Sequence, residues 1–399
     1  MRLWQSVRGL PREVWLLCAA ILINRAGQMA LPFLSLYTTR HLGVAGDAAG
    51  MILGLYGAGV LLGAPIAGRL CDRIGAGRVM VGSLSIAGAL LLSFPLLRGV
   101  PALAMGTLAL ATAAEAFRPA SLLVLTELVP SDQRKPAYAL SRAAGNVGFG
   151  IGPAIGGVLA GLWFPAIFIA DGATSLLAAL LLASSPLYHR RPSEVPQAAD
   201  GAGRSALHDL SFVALLAGTT VAGMAYFQIQ STMPIHLVRH LGLRESTYGI
   251  LIMLNSLLVV LVEVPLNGAL ARWPHARSLA LGAALIGAGF GALAFVREAG
   301  SVAVTVVVWT FGEMILTPAA TAAVTDCAPE GRTGEYLGWQ GTMFGLSMGL
   351  GPWLGMAVLE RFGPTVLWTS VLVSCAAAAA LLGAITDRRT ARATSEQVG

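Results

Sequence analysis

The chain has 399 residues, of which 56% are hydrophobic and 12% charged, with a formal net charge of +6. A soluble globule has no surface on which to place so much apolar material, whereas hydrocarbon does, so the composition excludes an ordinary soluble fold and points to an all-α integral membrane protein. The positive balance would suit nucleic acid, but its placement in loops fits membrane orientation better, and no nucleic-acid partner is expected.

Stretches long and apolar enough to span a bilayer, about 20 residues each, fall near 14–38, 48–71, 79–97, 101–129, 137–162 and 164–187, then near 210–238, 247–270, 278–296, 301–327, 334–360 and 364–386. The opening MRLWQSVRGLPREVW has no small-residue cleavage site, so the first stretch reads as a spanning helix and not as a removed signal. The even-numbered connections are short and charged: DRIGAGR (72–78), PSDQRKP (130–136), ARWPHAR (271–277) and PEGRTG (329–334). The longest connection, 187–209, is polar with Pro and Gly and reads as a flexible linker. The expected organisation is a six-helix bundle over 1–186, a linker over 187–209, a second six-helix bundle over 210–386 and a tail over 387–399.

Sixteen Lys and Arg fall in the N-terminal segment, the even-numbered connections, the linker and the tail, against six on the other side (Arg40, Arg98, Arg239, Arg244, Arg297 and Arg361). Positive charge concentrates on the cytoplasmic side, so both termini and the linker are expected in the cytoplasm of a multi-pass cell-membrane protein. The cysteines, Cys18, Cys71, Cys327 and Cys375, have neither metal-like nor disulfide-like spacing and read as small apolar packing residues.

The two sets of six stretches are copies. Arg40-His41-Leu42-Gly43 recurs 199 residues on as Arg239-His240-Leu241-Gly242, and Pro65 and Gly68 recur 200 on as Pro265 and Gly268. Pro119-Ala120, Thr126-Glu127 and Pro130 in the fourth stretch return at identical spacing as Pro318-Ala319, Thr325-Asp326 and Pro329 in the tenth. Gly152-Pro153 and Gly156 return as Gly351-Pro352 and Gly355. Duplicated six-helix halves suit transport by alternating access, because rocking one half against the other opens a central site to each side in turn.

Over essentially the whole chain these residues resemble the major facilitator superfamily. Gly68-Arg69-Leu70-Cys71-Asp72-Arg73-Ile74-Gly75-x-x-Arg78, between the second and third stretches, is similar to that superfamily's G-x3-D-R-x-G-x2-R loop signature; its second-half copy carries Arg272 where Asp72 stands. Gly148-x3-Gly152-Pro153-x2-Gly156-Gly157 in the fifth stretch, with Arg142 ahead of it, is similar to the glycine-proline signature of the drug/proton antiporter branch, with Ala139 in place of an earlier glycine. The resemblance implies the major facilitator fold, twelve transmembrane helices in two pseudo-symmetric six-helix bundles. For the antiporter branch it implies proton-coupled multidrug efflux. It also implies that Gly68, Asp72, Arg73, Gly75, Arg78, Glu127 and Asp326 latch the halves together on the cytoplasmic side in the outward-open state.

The residues support the same reading independently. Asp72 is placed to accept hydrogen bonds from a helix N-terminus, Arg73 or Arg78 to pair with Glu127, and Arg272 or Arg277 to face Asp326. Gly148, Gly152 and Gly156 form a stripe of small residues that lets helices approach closely, with Gly341, Gly345 and Gly349 as its expected match in the eleventh stretch.

Charges deep in a membrane are costly and mark functional candidates. Glu313 lies about 20 Å from the inner end of its helix at 1.5 Å per residue, with no basic residue of the second half placed inside a helix. A carboxylate taken out of water there is suited to taking up and releasing a proton, and Phe311-Gly312-Glu313 resembles a glutamate site of some drug/proton antiporters. In the first half the proton-coupling candidates Arg25, Glu115, Arg118 and Asp171 sit at comparable depth; Glu115 and Arg118, three apart on one helical face, can pair in a neutral network, or Arg25 or Arg118 can hold the acid deprotonated in a proton relay. Asp171 ranks below Glu115, because its helix supports the central cavity in the family more than it lines it. The polar and aromatic candidates for substrate contact are Asn24, Gln28, Tyr226, Gln228, Gln230, Asn255, Trp339 and Gln340; Gln28 and Gln230 each precede a proline, Pro32 and Pro234, by four residues.

The expected function is secondary active transport, with proton-coupled export of small amphiphilic or drug-like molecules ahead of metabolite import or uniport and of a non-transporting membrane sensor. No nucleophile–histidine pair, phosphate loop or metal cluster stands in the sequence, so neither an enzyme nor a metal site is expected, and no cofactor beyond the proton gradient. The expected partners are a small-molecule substrate, protons and the lipid bilayer, with the chain acting as a monomer.

Overall fold

The computed structural model describes residues 9–130, 133–189, 206–270, 272–329 and 332–384. Most of the linker (190–205) and the whole C-terminal tail expected above lie outside the described residues. All regular structure among the described residues is helical. The spans are α1 (Arg12–Gly27 and, after a break, Ala30–Leu36), α2 (Gly46–Ile74), α3 (Ala76–Ser93), α4 (Val100–Glu115 and Phe117–Leu128), α5 (Arg134–Leu162) and α6 (Pro165–Ala183). They continue with α7 (Leu210–Tyr226 and Thr232–Ile235), α8 (Glu245–Leu270), α9 (His275–Gly291) and α10 (Ala299–Cys327). The last helical run, Thr333–Gly383, is two helices: Gly363 takes φ 81° and ψ 176° immediately before Pro364 and separates α11 from α12.

Local chemistry explains where the spans break. Pro32 has no N–H to offer the carbonyl of Gln28 four residues back, and the chain closes an inverse γ-turn about Gln28 (φ −66°, ψ 74°), with Met29 N–H donating to Gly27 O at 2.6 Å. Pro234 leaves Gln230 in the same position, and α7 passes through a 3-10 turn at Phe227–Gln230 before its second part. Pro119 likewise deprives the Glu115 carbonyl of its donor, and α4 is interrupted at Ala116.

The duplicated Arg-His-Leu-Gly segments adopt one structure twice. Each first span ends in a π-helical turn, Tyr37–His41 and His236–His240. These are closed by Leu42 N–H on Tyr37 O and Leu241 N–H on His236 O, both at 3.0 Å. The following Gly43 and Gly242 take φ 67° and 69°, a left-handed conformation that glycine adopts without steric cost.

Two compact units form, one from Met1–Val195 with Gln230–Val260 and the other from Pro196–Ile229 with Leu261–Gly399. In the first unit, the start of α8 packs on α5 and α1. A β-carbon on Gly157 would stand 2.7 Å from Glu245 O, Phe33 meets Tyr248 edge-on at 5.2 Å, and Arg40 forms an ion pair with Glu245. Its interior is built from Leu17, Leu84, Val124 and Leu182. The second unit is centred on aromatic rings, with Phe290 stacked on Trp309 at 5.2 Å and facing Trp368 at 6.2 Å. Leu96, Leu162, Leu180, Leu210, Leu261 and Phe295 are all more than 60% exposed, an outward apolar surface that hydrocarbon, unlike water, accommodates.

Candidate functional site

In the first unit the α1 break is held by a carboxylate from α6. Asp171, 4% exposed, accepts a hydrogen bond from Ala30 N–H at 3.0 Å, and Asn24 donates to Ser175 at 3.3 Å one turn further along α6. Arg25 donates to Gln28 at 2.7 Å across the break. A cavity of about 60 Å³ lies beside these groups, lined on its polar side by Asn24, Gln28, Tyr56, Asp171 and Ser175. The Glu115–Arg118 pair expected from spacing forms, with Arg118 Nε donating to Glu115 Oε1 at 2.9 Å; it sits where Pro119 breaks α4. Arg25 and Tyr56 are each within electrostatic reach of Glu115. Of the two arginines expected to hold an acid, Arg118 does so directly, while Arg25 is committed to a carboxamide.

The α5 signature is the surface on which this break rests. A β-carbon on Gly148 would stand 2.7 Å from Leu22 O; one on Gly152 would face the carbonyls of Ala26, Arg25 and Gln28 at 3.0, 3.2 and 3.3 Å; one on Gly156 would stand 2.7 Å from Met29. Only glycine lets the irregular backbone of α1 come so close. The second unit repeats the arrangement 199 residues on, at Ser347, Gly351 and Gly355. Ser347 donates to Thr220 O at 3.0 Å, and β-carbons on Gly351 and Gly355 would meet Met224 O and the Gln228 side chain at 2.8 and 2.0 Å. The expected stripe began instead at Gly341, where nothing lies within 4 Å of a β-carbon. Spacing alone could not choose between two overlapping runs of small residues; the 199-residue register does.

Glu313 on α10 lies beside the α7 break. Tyr226, the last residue before the 3-10 turn, donates its hydroxyl to Glu313 Oε1 at 3.1 Å. This donor is an aromatic hydroxyl from a different helix, which a search for basic residues passes over. Tyr226 meets Trp309 edge-on at 6.1 Å and Phe227 at 5.5 Å, and Phe227 meets Phe344 at 5.1 Å. The carboxylate therefore stands in an aromatic setting. Sequence reasoning missed Trp309 and Tyr56. Trp309 was legible, lying four residues before Glu313 on one helical face, but Tyr56 had no pattern to mark it.

The remaining candidates are dispersed. Gln228, 4% exposed, spends its amide on Met224 O at 3.0 Å and Gly351 O at 2.8 Å, which makes it interhelical glue. Gln340 reaches Thr321 at 3.5 Å, Asn255 is buried, and Gln230 and Trp339 are half-buried. Gly75, at φ 90°, is the one-residue link from α2 to α3 and caps α3 without help from the Asp72 side chain. Asp72 and Glu127 both lie within electrostatic reach of Cys71. In the second unit Asp326 pairs with His275 at 2.9 Å, where Arg272 or Arg277 was expected; Arg272 is exposed. Pro274 starts α9 at His275 and so puts the imidazole opposite α10.

Comparison with known proteins bears directly on this arrangement. The sequence model of the Major Facilitator Superfamily matches residues 16–352 and 215–398. The chain belongs to this superfamily. Among its relatives is an uncharacterized MFS-type transporter of Bacillus subtilis, YttB, 25% identical, with 91% of this chain and 92% of that protein covered. A Na(+), Li(+), K(+)/H(+) antiporter of Planococcus maritimus is 22% identical over 79% of this chain and 81% of its own. Solved structures agree in fold at 14% identity. A peptide transporter POT in complex with sulfate superposes with a TM-score of 0.80, covering 97% of this chain and 98% of that one, and a mutant of the nucleoside transporter NupG with 0.74, covering 92% and 98%. This member of the superfamily is thus a multi-pass membrane transporter and not an enzyme, and its substrate is a small molecule.

Proposed function

We propose that this transporter is a proton-coupled antiporter that exports small amphiphilic molecules, with Glu313 as the carboxylate for which proton and substrate compete. The observation that carries this reading is the Tyr226–Glu313 hydrogen bond at 3.1 Å, set among Trp309, Phe227 and Phe344 beside the break in α7. A carboxylate set among aromatic rings suits lipophilic or cationic ligands, and it loses its desolvation cost on taking up a proton. Two further features support export. The glycine stripe of α5 seats the α1 break, which gives the antiporter-like signature a physical role, and a cation/proton antiporter stands among the relatives.

In the cycle, protonation of Glu313 neutralises a costly charge on the outward side, substrate displaces the proton on the inward side, and the loaded carrier returns. In this reading both termini face the cytoplasm, the side on which Lys and Arg concentrate, and the cluster around Asp72 and Glu127 serves the inner gate. Efflux of ethidium from membranes with and without a pH gradient tests the reading. Gradient-dependent efflux in wild type, abolished in Glu313→Gln at unchanged expression, is expected; uphill efflux retained by that variant would refute the role of Glu313.

A further inference from the structure

The carboxylate of Asp171 is used by nothing in that cycle, and its surroundings differ from those of a purely structural cap. It is buried at 4% exposure in a span that crosses the membrane, and it accepts from Ala30 N–H with Met29 N–H also directed at it. Among the described residues no cation is in direct contact with its charge. From α1, Arg25 is committed to Gln28 at 2.7 Å; from α4, Glu115 is already held by Arg118 at 2.9 Å; from α2, Tyr56 faces it across the cavity; α3 and α5 contribute only apolar groups, among them Leu84, Leu91 and Phe149. The cavity of about 60 Å³ has room for more than one water, enough to deliver a proton.

Duplication supplies an independent argument. In the 199-residue register Asp171 corresponds to Ser370 and Ser175 to Ser374, and both serines line the equivalent crevice of the second unit together with Gln228. There the α7 break is tied by the Gln228 carboxamide, and Ser370 donates to Leu367 O within its own helix. A broken first span therefore does not need a carboxylate at this position, and the charge in the first unit calls for another reason.

We propose that Asp171 and the adjoining cavity form a second proton-binding site, separate from Glu313, whose occupancy sets how tightly α6 holds the α1 break against α5. A proton carried as hydronium through the cavity water adds to the carboxylate to give the neutral acid, and water is left behind. The acceptor for Ala30 N–H then loses its charge, and a charged acceptor makes roughly twice as strong a hydrogen bond as a neutral one. A metal cation is disfavoured, because the Arg25 guanidinium stands one side chain away and Asp171 supplies the sole negative charge in the lining.

Infrared difference spectroscopy between acid and alkaline pH, on the full-length protein in lipid, tests this without reference to transport, so it stands or falls apart from the Glu313 reading. A carboxylic-acid band that titrates in wild type should be lost in Asp171→Asn, persist in Glu313→Gln and shift its midpoint in Tyr56→Phe. Bands unchanged in Asp171→Asn would overturn the proposal, as would a midpoint that moves when sodium or lithium replaces choline at constant ionic strength. Should Asp171→Asn fail to fold, isotope-labelled aspartate in wild type decides. A titrating band that shifts with the label supports the site, and one that does not overturns it.

Discussion

The broken spans α1 and α7 descend from one segment, yet each unit holds its break differently. In the first unit a charged side chain from α6 reaches the break, and a polar cavity remains beside it. In the second a neutral carboxamide from α7 itself bonds to α11. The space corresponding to Leu91 and Leu110, which line the first cavity, is taken by Phe290 and Trp309, stacked at 5.2 Å. The acid of the second unit has moved to α10, where Glu313 occupies the register position of Ala114, a cavity-lining residue in the first. Duplication conserved the backbone irregularity and the small-residue seat for it, while side-chain chemistry diverged between the copies. The comparison teaches that the break is the shared device, and the carboxylate beside it is where each unit was specialised.

If the seat is shared, filling it should damage both units alike. Gly152→Leu and Gly351→Leu each force a side chain into backbone carbonyls and should destabilise by about 1–3 kcal/mol or more, as overpacking does. Gly341→Leu, with nothing within 4 Å of its β-carbon, should be tolerated. Thermal unfolding in detergent separates the three, and equal losses at Gly341 and Gly351 would break the register argument. A smaller effect distinguishes how the breaks are held. Asp171→Ala leaves the Ala30 N–H buried without its acceptor and should cost about 1–3 kcal/mol, whereas Ser370→Ala removes only a bond to its own helix and should cost less than about 1 kcal/mol. Matching losses in melting temperature would contradict the proposed division of labour. The smallest effect is expected at the Arg40–Glu245 pair, where the Arg40 side chain is 59% exposed; Arg40→Ala should change stability by less than about 1 kcal/mol, with the difference fading at high salt.

The helices, the twofold repeat and the superfamily were legible because each rests on local pattern: apolar length, charged connections and motifs repeated at 199 residues. The Glu115–Arg118 pair was legible for the same reason, since both residues lie on one helix. Tyr226 and Glu313 were each singled out, but their hydrogen bond spans 87 residues, and no periodicity reports such a contact. The His275 contact to Asp326 was not foreseen, because the start of a helix, set by Pro274, decides which side chain faces across. Gln228 was singled out on polarity alone; its hydrogen bond to Gly351 became visible only in three dimensions.

Proton release on ligand binding tests the central claim most directly. Ethidium added to purified transporter in weakly buffered detergent, with a pH indicator present, should release protons from wild type. The same ligand should bind Glu313→Gln with no release. Release of equal size from the variant would contradict the claim that substrate and proton compete at Glu313.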